Sequence, residues 1–210
     1  MGHLRAASNP RGLPHGRLLG VVNNQPFSHE NLLFAHNGTL NIPDEVAKNL
    51  GPHARKIRGL NDSEIYFWQW VKFLDLTRSA PRALAACIHE TWRIWRTCRD
   101  RYPRFRTPYT GLNTIVSDGK ALHALCHYPY GTEGVHGLCN PTQPWGLMSW
   151  ARRSGRVLVA SENLDGGSWT RLQDGELLSV QAEGGRLRVR SVRLPLEELR
   201  GKDQKERVAA

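Results

Sequence analysis

The chain of 210 residues, 40% of them hydrophobic and seven of them tryptophan, suffices for one good-sized domain with a sizeable core and leaves little room for a second. Its formal charge of +10, from 29 Lys and Arg against 19 Asp and Glu, is spread along the chain and reads as a solvated basic surface. No apolar run reaches the length of a membrane span, no apolar stretch follows Met1-Gly2-His3-Leu4-Arg5 as in a secretory signal, and Ala6 stands where a myristoylation motif wants Ser or Thr; the expected location is cytoplasmic. Four cysteines make no disulfide framework. Cys87 and Cys98 fall on similar sides of one predicted helix, roughly 16 Å apart along its axis, so all four read as reduced thiols.

In chain order, residues 1–60 are rich in Gly, Pro, Asn and His, with short apolar runs between them. Leu18–Val22 and Leu32–His36 are expected as short buried strands or strand-like segments, the second followed by a turn signal at Asn37-Gly38. A first helix is expected from Asp62 or Ser63 as cap, with Ile65, Trp68 and Val71 in its apolar stripe. Ser79-Ala80-Pro81 reads as the cap and first turn of a second helix that runs to about Arg101 and is stopped by Pro103. Its Ala85, Ile88, Trp92 and Trp95, with Tyr102, are expected in the core. Leu112–Ser117 and Lys120–His127 flank Asp118-Gly119, a hairpin signal. After a Pro/Gly-rich loop, Tyr128–Pro144, come strands at Arg156–Ser161, Glu176–Gln181 and Arg186–Val192, the last two joined across Glu183-Gly184-Gly185. Residues 1–194 form the expected domain, and 195–210 a charged, frayed or disordered tail. Strands, two helices, then hairpins argue for a mixed α/β domain with antiparallel sheets packed on each other and helices outside.

Three segments carry the chemistry: His3-Leu4-Arg5-Ala6-Ala7-Ser8; Asn23-Asn24-Gln25-Pro26-Phe27 followed by Phe34-Ala35-His36-Asn37-Gly38-Thr39-Leu40; and Asn61-Asp62-Ser63-Glu64. In order and spacing they resemble the class II glutamine amidotransferases, the N-terminal nucleophile family, over about residues 3–182. Further along, Asn113 with Asp118-Gly119, Val159-Ala160-Ser161-Glu162, Trp169 and Asp174-Gly175-Glu176-Leu177 resemble the strand pattern of the stand-alone bacterial branch. Gln25 departs from the pattern, which has histidine there. The resemblance implies a four-layer α-β-β-α sandwich of the N-terminal nucleophile hydrolase type, incomplete at the N-terminus.

Glutamine offers an α-carboxylate, an α-ammonium and a side-chain amide. The Arg5 guanidinium suits the carboxylate, with the Ser8 hydroxyl beside it, and the Asp62 carboxylate suits the ammonium. Attack on the amide creates an oxyanion, and the resemblance gives its stabilisation to the Asn37 side chain and the Gly38 backbone N–H. The implied reaction is hydrolysis of glutamine, or of a γ-glutamyl compound, through a thioester and without a cofactor.

The family's nucleophile is a cysteine exposed by methionine removal, and here Met1 is followed by Gly2. Cys87, Cys98, Cys126 and Cys139 all follow the glutamine-binding motifs. The expectation is a shortened N-terminus rather than a remnant, with unpaired sheet edges and poor solubility as a consequence.

The implied partner is glutamine or a γ-glutamyl small molecule, with an acceptor domain or self-association left open and no membrane. A zinc site at Cys126, His127, His136 and Cys139 is disfavoured, because the first two are adjacent on a strand and face opposite ways. A non-catalytic interaction module is one rival. A basic nucleic-acid-binding protein is the other, resting on Arg93, Arg96, Arg99, Arg101, Arg104 and Arg106 near Trp92, Trp95, Tyr102 and Phe105, though the tryptophans fit the core better.

Overall fold

A computed structural model describes residues 1–4, 9–128 and 143–196. The predicted tail from 195 falls almost wholly outside these residues, as do Arg5, Ser8, His136 and Cys139.

The apolar run at Leu18–Val22 is not a strand. It ends in a 3₁₀ turn, Val21–Asn23, and only Leu18 is buried, whereas Val21 is 87% exposed. No described strand pairs with it, so no ladder of hydrogen bonds holds it extended. The first strands are β1 (Phe27–His29) and β2 (Leu32–Leu40), joined as a hairpin. Strand β2 runs straight through Asn37-Gly38, where a turn was expected, because it stays paired with the next long strand as far as Leu40.

A short helix α1 (Pro43–Lys48) and a 3₁₀ segment (Gly51–Lys56) follow, both unanticipated. Helix α2 (Asp62–Thr77) is capped by Asn61, whose side chain accepts the Ser63 N–H at 2.9 Å; the cap lies one residue before the expected Asp62 or Ser63. Helix α3 (Ala80–Cys98) starts after Ser79 with Pro81 in its first turn and tightens into a 3₁₀ turn at Arg99–Arg101.

The β half begins with β3 (Tyr109–Ser117) and β4 (Ala121–Cys126). Their connection is the expected hairpin, but Ser117 pairs with Leu122, so it spans four residues rather than two. Asp118 Oδ1 braces it by accepting the Lys120 and Ala121 N–H groups. Then come β5 (Ser149–Arg153), β6 (Arg156–Ala160), β7 (Thr170–Arg171), β8 (Glu176–Glu183) and β9 (Arg186–Arg193). β5 and β7 were not foreseen.

All pairings among the described residues are antiparallel. One sheet has the order β1-β2-β3-β4-β8-β9, and a smaller one the order β6-β5-β7. Strand alternation divides the large sheet into two apolar faces. Phe34, Leu40, Leu112, Val116, Leu125 and Leu177 pack with Ile65, Tyr66, Trp70, Leu84, Ile88, Trp92 and Trp95 of the helices. Ala124, Cys126 and Leu178 pack the opposite way, against Met148, Leu172 and Trp150. The described residues thus form three layers: helices, large sheet, small sheet. A second helical layer, expected outside the small sheet, is not found among them. No described helix is long and apolar enough to cross a membrane.

A polar chain crosses this core. Trp92 Nε1 donates to the Tyr109 hydroxyl at 2.7 Å, Tyr109 lies 2.8 Å from His127 Nε2, and His127 Nδ1 lies 2.9 Å from Asp174 Oδ1. An indole can only donate, so the arrangement that satisfies the chain has Tyr109 donating to Nε2 and the ring proton on Nδ1, facing the carboxylate. Tyr109→Phe deprives both the Trp92 and His127 nitrogens of this hydroxyl. It is expected to cost about 1–3 kcal/mol, read from the urea midpoint.

The same chain bears on the zinc candidate. His127 turns toward Tyr109, whereas the Cys126 thiol is buried between the sheets, 3.8 Å from the Gly146 carbonyl oxygen. The remaining two candidate ligands lie outside the described residues.

Candidate functional site

Strand β2 and the N-terminus of α2 hold most of the singled-out residues. Residues alternate along β2, so the backbone groups of Phe34, His36, Gly38 and Leu40 belong to one edge and those between them face β3. Phe34 pairs with Phe27 of β1, and beyond it β1 has ended. From there side chains take over. Gln25 Oε1 accepts the His36 N–H at 2.6 Å while Gln25 Nε2 donates to the His36 carbonyl at 3.0 Å, the pattern a neighbouring strand would make. This accounts for Gln25 at its position: a carboxamide has both the acceptor and the donor that this doubled contact uses. His3 Nε2 lies 3.1 Å from the same carbonyl.

Four residues on, the Leu40 N–H donates to Asp62 Oδ2 at 2.7 Å. Asp62 is buried, at 2% exposure, at the first turn of α2. Between these two points sits Gly38, whose peptide N–H belongs to the same edge by alternation. The half-buried Asn37 precedes it, opposite Asn113 of β3. Asn37, Gly38 and the Leu40 N–H that Asp62 accepts thus lie within about 10 Å of one strand, taking about 3.3 Å per residue.

Arg5 and Ser8 lie outside the described residues. The residues that flank them are held on either side of this region. His3 contacts β2, and Arg11 donates to the Leu60 carbonyl at 3.0 Å, just before α2, while also pairing with Asp44 at 2.7 Å.

Other motif residues have structural work that spacing alone did not disclose. The Asn23 side chain accepts the Leu60 N–H at 2.7 Å and donates to the Arg17 carbonyl at 3.1 Å. Its own carbonyl accepts from Asn61, the cap of α2, at 2.7 Å. Glu64 clasps the approach to the helix, its two oxygens accepting the Arg58 and Gly59 N–H groups at 2.8 and 2.7 Å. Together they fix the entry of α2, and so the position of Asp62.

His36 lies beneath the site, with Nδ1 3.0 Å from Ser63 Oγ and Nε2 3.1 Å from the Gly111 carbonyl oxygen. A carbonyl facing Nε2 puts the proton there and leaves Nδ1 to accept from Ser63. Burial lowers the pKa of His36, against the opposing pull of the Asp62 carboxylate and the Gly111 carbonyl. His123, 2.8 Å from Ser179 Oγ, is lowered by burial too, against Asp118. A histidine lowered in the folded state binds its proton more readily when unfolded. Stability from both groups is therefore complete above about pH 6.5 and declines as the pH falls below it. The urea midpoint is expected to drop between pH 7 and pH 5, with a shallower drop in His123→Gln.

None of the described cysteines has the character of a nucleophile. Cys87, Cys98 and Cys126 are free and buried. Burial raises all three thiols, Cys126 to about 12, so thiolate is scarce at neutral pH. The arginine-rich stretch is likewise no stacking surface at its tryptophans. Trp92 and Trp95 are each 1% exposed, and Arg101 and Arg93 pair with Glu45 and Glu90.

No family model matches the chain, and no curated protein matches it. Solved structures do. One, described as a glutamine aminotransferase class-II domain protein from Silicibacter pomeroyi, is similar with a TM-score of 0.59 and 24% identity, over 81% of this chain and 72% of that one. A predicted glutamine amidotransferase from Pseudomonas aeruginosa is similar with a TM-score of 0.51 and 18% identity, over 80% of this chain and 66% of that one, so this chain spans just under two thirds of its length. At these identities the likeness is one of architecture: the chain shares the mixed α/β fold, with antiparallel sheets, of these two glutamine amidotransferase-like structures.

Proposed function

We propose that this domain binds glutamine or a γ-glutamyl compound at the outer edge of β2, as in a class II glutamine amidotransferase. The observation that carries the reading is the Leu40 N–H to Asp62 hydrogen bond of 2.7 Å, which holds a buried carboxylate against the strand that also carries Asn37-Gly38. In this reading Asp62 receives the α-ammonium, and Arg5 with Ser8 receives the α-carboxylate, the anchors at His3 and Arg11 supporting their approach. The Asn37 amide and the Gly38 N–H face the side-chain carbonyl and would stabilise an oxyanion formed there.

Hydrolysis of that amide to glutamate and ammonia calls for a nucleophile, and Cys87, Cys98 and Cys126, with their raised thiol pKa values, do not serve. Binding is thus the property to test first. Isothermal titration of the chain with L-glutamine should give saturable binding at one site, and N-acetylglutamine, which lacks the ammonium, should give none. Equal heats from both compounds would remove the reading.

A further inference from the structure

A second cleft, of about 600 Å³, opens on the β1 side of the large sheet and includes none of Asn37, Gly38 or Asp62. Its size falls in the range of roughly 300–1,000 Å³ usual for small-molecule sites. Its apolar lining comes from Val21, Val22, Pro26, Phe27, Phe67 and Trp68, and Asn24, Ser28 and Glu64 also line it. Val21 and Val22 are 87% and 56% exposed, which leaves a branched apolar pair uncovered at the mouth of the cleft. Around the opening stand Arg55, Lys56 and Arg58, all exposed, with His29.

These cations are poorly neutralised. Arg55 and Arg58 form no ion pair among the described residues. Lys56 lies 5.1 Å above the Trp68 ring and 3.3 Å from His29 Nε2, neither of which is an anion. The carboxylates nearby are otherwise engaged or outward. Glu64, which lines the cleft, is 4% exposed and accepts the Arg58 and Gly59 N–H groups rather than pairing with a guanidinium; Asp75 pairs with His53, and Glu30 is exposed, 3.9 Å from His29. In addition, the buried Nε1 of Trp68 has no hydrogen-bond partner.

We infer that this cleft binds a small amphiphilic anion, with a flat apolar body between the valines and the aromatic wall and a phosphate-like group among Arg55, Lys56 and Arg58. Neither half suffices alone. Exposed cations hold a lone anion weakly because water and salt screen them, whereas an apolar wall beside them lowers the local dielectric and adds burial of the ring.

The test is titration of the chain with 1-naphthyl phosphate, and separately with inorganic phosphate and with 1-naphthol. Saturable 1:1 binding of the naphthyl phosphate, weaker by about tenfold or more for each fragment, is expected. Arg55→Ala/Arg58→Ala and Val21→Ser/Val22→Ser change exposed side chains and should each weaken binding by about tenfold, whereas Arg186→Ala/Arg190→Ala on the distant β9 should leave it unchanged. The inference is overturned by absence of binding, by inorganic phosphate binding as tightly as the conjugate, or by equal loss in the β9 variant. L-Glutamine titrated into the same variants reads the β2 site independently, so failure of one site does not obscure the other.

Discussion

Gly38→Ala is expected to lower folding stability by more than about 3 kcal/mol, or to prevent folding altogether. Gly38 has φ +154°, outside the range that side-chain-bearing residues readily adopt. A Cβ built on it would stand 1.9 Å from the Gly111 carbonyl oxygen, 2.5 Å from the carbon of that carbonyl and 2.7 Å from His36 Nε2. Two of these three are backbone atoms of β3, which cannot swing aside as the end of a flexible side chain could. Relief requires β2 and β3 to separate at the centre of the large sheet, and would also break the contact between His36 and the Gly111 carbonyl. Gly166→Ala is the control: nothing lies within 4 Å of its Cβ, so a change within about 1 kcal/mol is expected. Urea denaturation of both variants gives the comparison. A Gly38→Ala protein as stable as the parent would show that the close approach of the two strands is not a constraint on the fold.

Asp62→Asn should abolish most glutamine binding while leaving the fold nearly intact. Asparagine retains a side-chain oxygen to accept the Leu40 N–H that Asp62 now accepts at 2.7 Å, so the junction of β2 with α2 can persist. What is lost is the negative charge that the proposed site offers to an α-ammonium. Removing one member of a buried charge pair costs about 3 kcal/mol, roughly a hundredfold in affinity. Asp62→Ala separates the two roles differently. It removes the charge and also strands the Leu40 N–H, for a further loss of about 1–3 kcal/mol in stability. Calorimetric titration with L-glutamine, alongside thermal melts of parent and both variants, reads the two effects apart. Unchanged affinity in Asp62→Asn would assign the carboxylate a purely structural role.

Where local signals were strong, sequence and structure agree. The apolar stripe through Ile65, Trp68 and Val71, the Ser79-Ala80-Pro81 start and the Asp118-Gly119 hairpin each depend on residues close together in the chain. Ile88, Trp92 and Trp95 are buried as periodicity required, whereas Ala85 is only half-buried and Tyr102 packs at the core margin. The misses are of another kind. β5 pairs with β6 and β7, and a strand as short as Thr170–Arg171 exists only through such pairing. Leu18–Val22 has the composition of a strand but no described strand as a partner, and its Val21 and Val22 line the basic cleft.

The candidate site shows the same division. Asp62 at a helix start and Asn37-Gly38 after an apolar run could be picked out from residue types and order. Their convergence could not, nor could the tasks of Gln25, Asn23 and Glu64, which hold backbone groups far away in sequence. Asn-Gly prefers a turn when only its neighbours are considered. Residue order alone determined the mixed α/β class and the two long helices, because propensity, capping and periodicity act over a few residues. The tertiary structure decided that Asn37-Gly38 stays extended and that Asp62 bonds to Leu40 farther along the same strand, because strand register is set by pairing across dozens of residues, and β3 outweighs the local preference.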